Sequence, residues 1–144
     1  MTRIEFLHGA PDRLTAAAGW LRLAWTQRRR VMVYIPTRKA AEDLDRLLWS
    51  QPATGFVPHC RADSAVADET AILLADNLDR LPHDACLLNL ADELPPGFSR
   101  FETLVEIVST ADADRLPARE RFKFYRERGY ALEARDISRG LSHG

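Results

Sequence analysis

The sequence predicts a single α/β domain of three layers, with a mainly parallel sheet between two layers of helices. Two observations carry this expectation. Short apolar runs alternate with longer amphipathic segments along the 144 residues, and strand, helix, strand, helix in that order implies βαβ units. The second observation is Val31-Met32-Val33-Tyr34-Ile35, an unbroken apolar run between Arg30 and Pro36. Continuous rather than alternating hydrophobicity suits a central strand buried on both faces. A chain of this length fits one domain, 1–144, and can bury a real core.

Taken in order, residues 3–7 alternate around Ile4 and Phe6 and read as a first strand. His8-Gly9-Ala10-Pro11 turns the chain, and Asp12 can cap a helix running to about residue 29, with Leu14, Ala18, Leu21 and Trp25 as its buried stripe. Arg28-Arg29-Arg30 then falls at a helix C-terminus, where cations complement the dipole. After the central strand, Thr37 can cap a second helix to about residue 50, turning Ala41, Leu44, Leu47 and Leu48 inward. Residues 51–61 read as a loop, with Pro52, Gly55 and Pro58, yet Trp49, Phe56, Val57 and Pro58 load it with apolar surface. Further buried strands are expected at 71–75, 85–90 and 104–108, and Pro95-Pro96-Gly97 marks a sharp turn. Periodicity fades beyond about residue 135, so 136–144 is expected to fray.

Composition excludes several classes. A hydrophobic content of 46% and a charged content of 28% are ordinary for a soluble globular chain. A pI near 6.4 argues against bulk electrostatic binding to nucleic acid, which needs a strongly basic surface. No apolar run reaches the length of a membrane span, and the start of the chain lacks a signal-peptide pattern. Cys60 and Cys86 form no CxxC pair, which together with the rest favours a reducing cytoplasm.

The last strong pattern is a helix over residues 115–130 closed by Gly129. At about 100° per residue, Arg115, Arg119, Lys123 and Arg126 share one quadrant, beside a stripe of Ala118, Phe122 and Tyr125. The ordinary reading is a solvated face next to core. The charge balance keeps a second reading open: residues 113–128 hold six Arg/Lys against three Asp/Glu in a chain of net charge −1. A row of cations along an aromatic edge suits an acidic, partly apolar peptide.

Patterns for chemistry are absent by comparison. Pro36-Thr37-Arg38-Lys39 places cations at a helix start that could draw an anion, but neither GxxxxGK[ST] nor GxGxxG occurs. His8, His59, His83, His143 and the two cysteines lack zinc spacing. No GxSxG elbow presents a nucleophile, and helix or loop capping accounts for Asp92-Glu93, Asp112 and Asp114. The segment 49–59 remains as a second interaction surface, or as a loop folded over the sheet.

Two motifs then become recognisable: Leu48-Trp49-x-x-Pro52-x-x-x-Phe56-Val57-Pro58-His59, and Arg119-Glu120-Arg121-Phe122-Lys123-x-Tyr125-Arg126-x-x-Gly129-Tyr130. With the opening strand and the order of elements through Val108, they resemble the chi subunit of bacterial DNA polymerase III holoenzyme. The resemblance implies a Rossmann-like α/β/α fold and a noncatalytic accessory subunit of the clamp-loader complex, without cofactor, in the bacterial cytoplasm. Family members bridge the psi subunit and the acidic C-terminal tail of single-stranded DNA-binding protein, so DNA is met only indirectly. By matching position, Trp49, Phe56 and Pro58 fall on the psi surface, which a helicase can compete for. Val108, Arg115, Arg119, Phe122 and Lys123 fall on the tail surface, with Phe122 where a tyrosine is common. Residues 61–69 and those beyond 135 carry little of the likeness. The alternative is a nucleotide-binding or enzymatic domain with a ligand at the 36–39 helix start.

Overall fold

The computed structural model describes residues 1–50 and 57–141. In chain order the elements are β1 (Arg3–Ala10), α1 (Arg13–Thr26), β2 (Val31–Tyr34), α2 (Arg38–Trp49), β3 (His59–Arg61), β4 (Ile72–Ala75), β5 (Cys86–Asn89), β6 (Thr103–Ser109), α3 (Asp112–Glu127) and β7 (Ala131–Asp136). The seven strands form one sheet in the order β3-β4-β2-β5-β6-β1-β7. Every pairing is parallel, so the expected mainly parallel sheet is wholly parallel among the described residues.

The central run explains the layers. Val31, Val33 and Ile35 point to one face, into the cluster that α1 and α2 cover with Ala17, Leu21, Leu44 and Leu48. Met32 and Tyr34 point to the other, among Ile4, Leu73, Leu87, Phe98, Phe101 and Tyr125 of α3. Alternate side chains of a strand face opposite ways, so a strand covered on both sides must be apolar throughout. α3 therefore lies across the sheet from α1 and α2.

Several local expectations shift. Asp12 caps α1 as expected, accepting from the Thr15 N–H at 2.9 Å. The buried stripe of α1 is Ala17, Trp20 and Ala24 with the expected Ala18 and Leu21, whereas Trp25 is 39% exposed and Leu14 only half-buried. α1 ends at Thr26, before the arginines. Arg28 adopts a left-handed φ of 59°, and Arg29 lies over the Trp20 ring at 5.3 Å. Thr37 precedes α2 but makes no capping bond through its side chain. β3 and β7, one at each edge of the sheet, are strands the sequence did not announce. Beyond β7 the chain still holds to the body: Ile137 is 4% exposed and its N–H donates to the His8 carbonyl, so the fray expected from about 136 does not begin there.

Candidate functional site

α3 is fixed at its end, on its inner face and along its flank. At the end, Gly129 has φ +78°, which only glycine adopts without strain. The Gly129 N–H donates to the Arg126 carbonyl and the Tyr130 N–H to the Tyr125 carbonyl, the paired bonds of a Schellman motif. The rings of Tyr125 and Tyr130 close it at 6.4 Å.

On the inner face, Arg121 is 3% exposed and grips the fully buried Glu106 of β6 with both arms of its guanidinium, Nε at 2.9 Å and Nη2 at 3.0 Å. The Tyr125 hydroxyl donates to the same carboxylate at 2.6 Å, and the Asn89 amide donates from β5. Burial, then the Glu106 charge, pushes the Tyr125 hydroxyl far above the usual tyrosine range. Burial acts against the Arg121 charge, but Glu106 outweighs it and raises Arg121. This network escaped the sequence reading. Its signal was Glu106 inside Leu-Val-Glu-Ile-Val: a carboxylate in a strand buried on both faces requires partners.

On the outer face, Arg115, Arg119, Lys123 and Arg126 are exposed, as the spacing predicts. Arg115 pairs with Asp112 at 2.7 Å. Among the described residues, Arg119 and Lys123 have no carboxylate partner. Phe122 lies on the flank, half-buried, its ring edge-on to Phe6 at 5.0 Å and beneath the Arg126 guanidinium at 5.8 Å. Val108 is 3% exposed and packs under this flank with Phe6 and Ala118. The stripe of Ala118, Phe122 and Tyr125 thus divides: Tyr125 belongs to the core, and Phe122 is the aromatic within reach of a partner.

The second surface is the end of α2. Trp49 is 61% exposed, and its ring meets that of His59 edge-on at 6.2 Å. The side chain of His59 is buried between the Asp45 carboxylate, 2.6 Å from Nε2, and the Val57 carbonyl, 2.7 Å from Nδ1. Pro58 is half-buried; Phe56 lies outside the described residues. A groove of about 870 Å³ runs from Trp49 along α2 to the carboxyl ends of β2 and β4, with Ile35, Pro36 and Leu74 among its lining.

The 36–39 helix start lies in this groove, but its cations are engaged: Arg38 pairs with Glu42 at 3.2 Å and Lys39 with Asp43 at 3.0 Å. Glu42, Asp45 and Asp76 line it together with Arg38, Arg46 and Arg61, so the groove carries balanced charge rather than a cationic surplus. Elsewhere in the sheet, β1 leaves through α1 toward β2 while its neighbour β6 leaves through α3 toward β7. The two connections therefore pass each other, through helices on opposite faces of the sheet. Arg13, at the start of α1, donates to the carbonyls of Ile107, Asn89 and Ala91 and to the Asp92 carboxylate. Among the described residues no group of His, Cys, Asp or Glu could hold a metal ion, and no helix is long and apolar enough to cross a membrane.

Comparison with known proteins gives one family throughout. Residues 1–133 match the family model for the DNA polymerase III chi subunit, HolC. The chain is 32% identical to DNA polymerase III subunit chi of Pseudomonas aeruginosa over 143 residues, 96% of this chain and 99% of that one. It is 30% identical to the Escherichia coli subunit chi over 109 residues, 75% and 74% of the two chains. The Haemophilus influenzae subunit chi is 28% identical over 117 residues, 78% and 79%. With the family match running from β1 into β7, the chain belongs to the DNA polymerase III chi subunit family.

Proposed function

We propose that this chain is a noncatalytic adaptor of DNA polymerase III that joins the psi subunit to the acidic C-terminal tail of single-stranded DNA-binding protein, in the bacterial cytoplasm. One observation supports the tail assignment above the others: Arg119 and Lys123 stand unpaired among the described residues on the outer face of α3, beside half-buried Phe122. The cations attract the tail's carboxylates and steer its approach. Phe122, with Val108 beneath it, offers the tail's terminal phenylalanine an apolar neighbour, and Arg115 extends the charged row. Psi docks on the side of the sheet that carries α2, on Trp49 and Pro58 with Phe56, where a helicase can compete.

The test is a titration of a synthetic acidic peptide ending in Pro-Phe, at two salt concentrations. Wild type is compared with Arg119→Ala and with Arg46→Ala, a cation of α2 that is already paired with Asp43. Losing a charge-assisted contact costs about 1.5–3 kcal/mol, so Arg119→Ala binds one to two decades more weakly. Arg46→Ala binds as wild type. Binding weakens with salt, because the Debye length falls to about 3 Å at 1 M. Equal affinity in all three proteins overturns the tail assignment.

A further inference from the structure

Glu106 is fully buried in the middle of β6, in a strand otherwise apolar from Leu104 to Val108. A buried carboxylate is tolerated only when its oxygens are fully engaged, and here Arg121, Tyr125 and Asn89 all donate to it. Arg121 and Tyr125 are one helical turn apart on α3. Arg121 also reaches the Asp92 carbonyl with Nη1 at 3.0 Å, and Arg13 holds the Asp92 carboxylate at 3.2 Å. α3 is thus pinned both to β6 and to the loop after β5.

We propose that Glu106 is a positioning residue for the docking face of α3: its carboxylate fixes the rotation of the helix about its own axis. Arg119 and Lys123 lie two residues either side of Arg121, each about 160° round the helix from it. Any rotation that breaks the Arg121 fork therefore swings both cations and Phe122 off their positions. Apolar contacts around Ala118 carry no such direction. A planar, bidentate Arg–carboxylate pair does, because both bonds form together in one orientation. This inference rests on the tail-binding reading above.

The test compares wild type with Tyr125→Phe and with the triple variant Glu106→Leu, Arg121→Met, Tyr125→Phe, which replaces the charged group by apolar side chains and leaves every residue of the docking face in place. Two readouts are taken: affinity for the acidic peptide, and amide hydrogen exchange along α3 relative to β2 and β5. The triple variant is expected to bind about tenfold more weakly, the loss from misplacing one charge-assisted contact, and its α3 amides to exchange faster than those of β2 and β5. Tyr125→Phe shifts both readouts in the same direction by a smaller factor. Wild-type affinity in a folded triple variant overturns the proposal. Should that variant fail to fold, unchanged affinity and unchanged α3 exchange in Tyr125→Phe overturn it. If the wild type itself does not bind the peptide, the tail reading fails, and unchanged exchange in the variants then removes the positioning role as well.

Discussion

α2 and α3 are both charged amphipathic helices, laid on opposite faces of one sheet, and they use their charges differently. In α2 the cations are engaged along the helix itself: Arg38 with Glu42, Lys39 with Asp43, and Arg46 with Asp43. In α3 one cation is buried against Glu106, one, Arg115, is paired with Asp112, and three, Arg119, Lys123 and Arg126, find no carboxylate among the described residues. Exposed pairs three or four residues apart contribute only a few tenths of a kcal/mol each, yet they hold their charges close to neutral as seen by a partner. The contrast separates a helix whose exposed cations are paired along its own length from one that presents unpaired cations to solvent. α2 compensates with a different asset, the exposed Trp49 at its end.

The largest effect expected from this contrast lies inside α3. Arg121→Ala leaves the Glu106 carboxylate buried without its main partner and should destabilise the fold by about 3–5 kcal/mol, a large share of a typical domain's total. Arg38→Ala in α2 should change stability by less than about 0.5 kcal/mol, because its pair is exposed. Urea midpoints of the two variants decide the matter. Equal losses would mean that the two helices do not differ in the way described.

Next in size is Trp49→Ala. A central aromatic at an interface typically carries at least about 2 kcal/mol of binding, so association with psi should weaken thirtyfold or about that, while stability changes little because the ring is 61% exposed. Calorimetric titration with psi and a thermal melt measure the two quantities together. A large fall in stability with unchanged psi binding would place Trp49 in the structural scaffold, through its contact with His59.

How far these two helices could be read from the sequence depends on what each residue has to tell. The outer row of α3 was legible, since cations spaced by three and four and a glycine at the end define a face and a terminus. Arg121 was not, because within Arg-Glu-Arg it looks like any solvated cation, and only Glu106 on another element reveals its task. Val31 to Ile35 showed a central strand because burial on both faces leaves no room for polar residues. His59-Cys60-Arg61 could not show one: β3 is three residues long and is drawn into the sheet by pairing with β4. β7 mixes Glu133, Arg135 and Asp136 with apolar residues because an edge strand is only partly covered. In α1 the choice of Trp25 over Trp20 failed for a related reason. Apolar residues surround that helix, so periodicity alone offered several stripes, and packing against the sheet selected the one containing Trp20.

Acid provides a smaller effect, from a group outside both helices. Burial, reinforced by Arg30, pushes His83 down to about 4 from 6.5, and its Nε2 is buried without a hydrogen-bond partner among the described residues. The folded state resists protonation that the unfolded chain accepts near pH 6.5. The stability His83 contributes is therefore complete above about pH 6.5 and is lost as pH falls toward 4. Partial exposure of the ring limits the loss to about 1 kcal/mol. Denaturation midpoints at pH 7.5 and 4.5 should show this drop, and His83→Gln should flatten it without altering the contrast between Arg121→Ala and Arg38→Ala.

The smallest effect tests whether pairing is what distinguishes the helices. Asp43 accepts from both Lys39 and Arg46, so Asp43→Asn releases two cations on α2 at once. Losing two exposed pairs should cost only about 0.3–1 kcal/mol of stability. In an Arg119→Ala background, where the α3 face is already weakened, the freed charges should raise affinity for the acidic peptide by roughly two- to fivefold at low salt, in keeping with the modest strength of exposed ion pairs. At high salt the gain should shrink to what Trp49, three residues beyond Arg46 in the same groove, can hold by apolar contact once charge is screened. Titrations at two ionic strengths measure this. A gain undiminished at high salt would reveal an apolar contact on α2 comparable to the one on α3. No gain at either ionic strength would mean that the aromatic flank of α3, rather than its unpaired cations, sets the two helices apart.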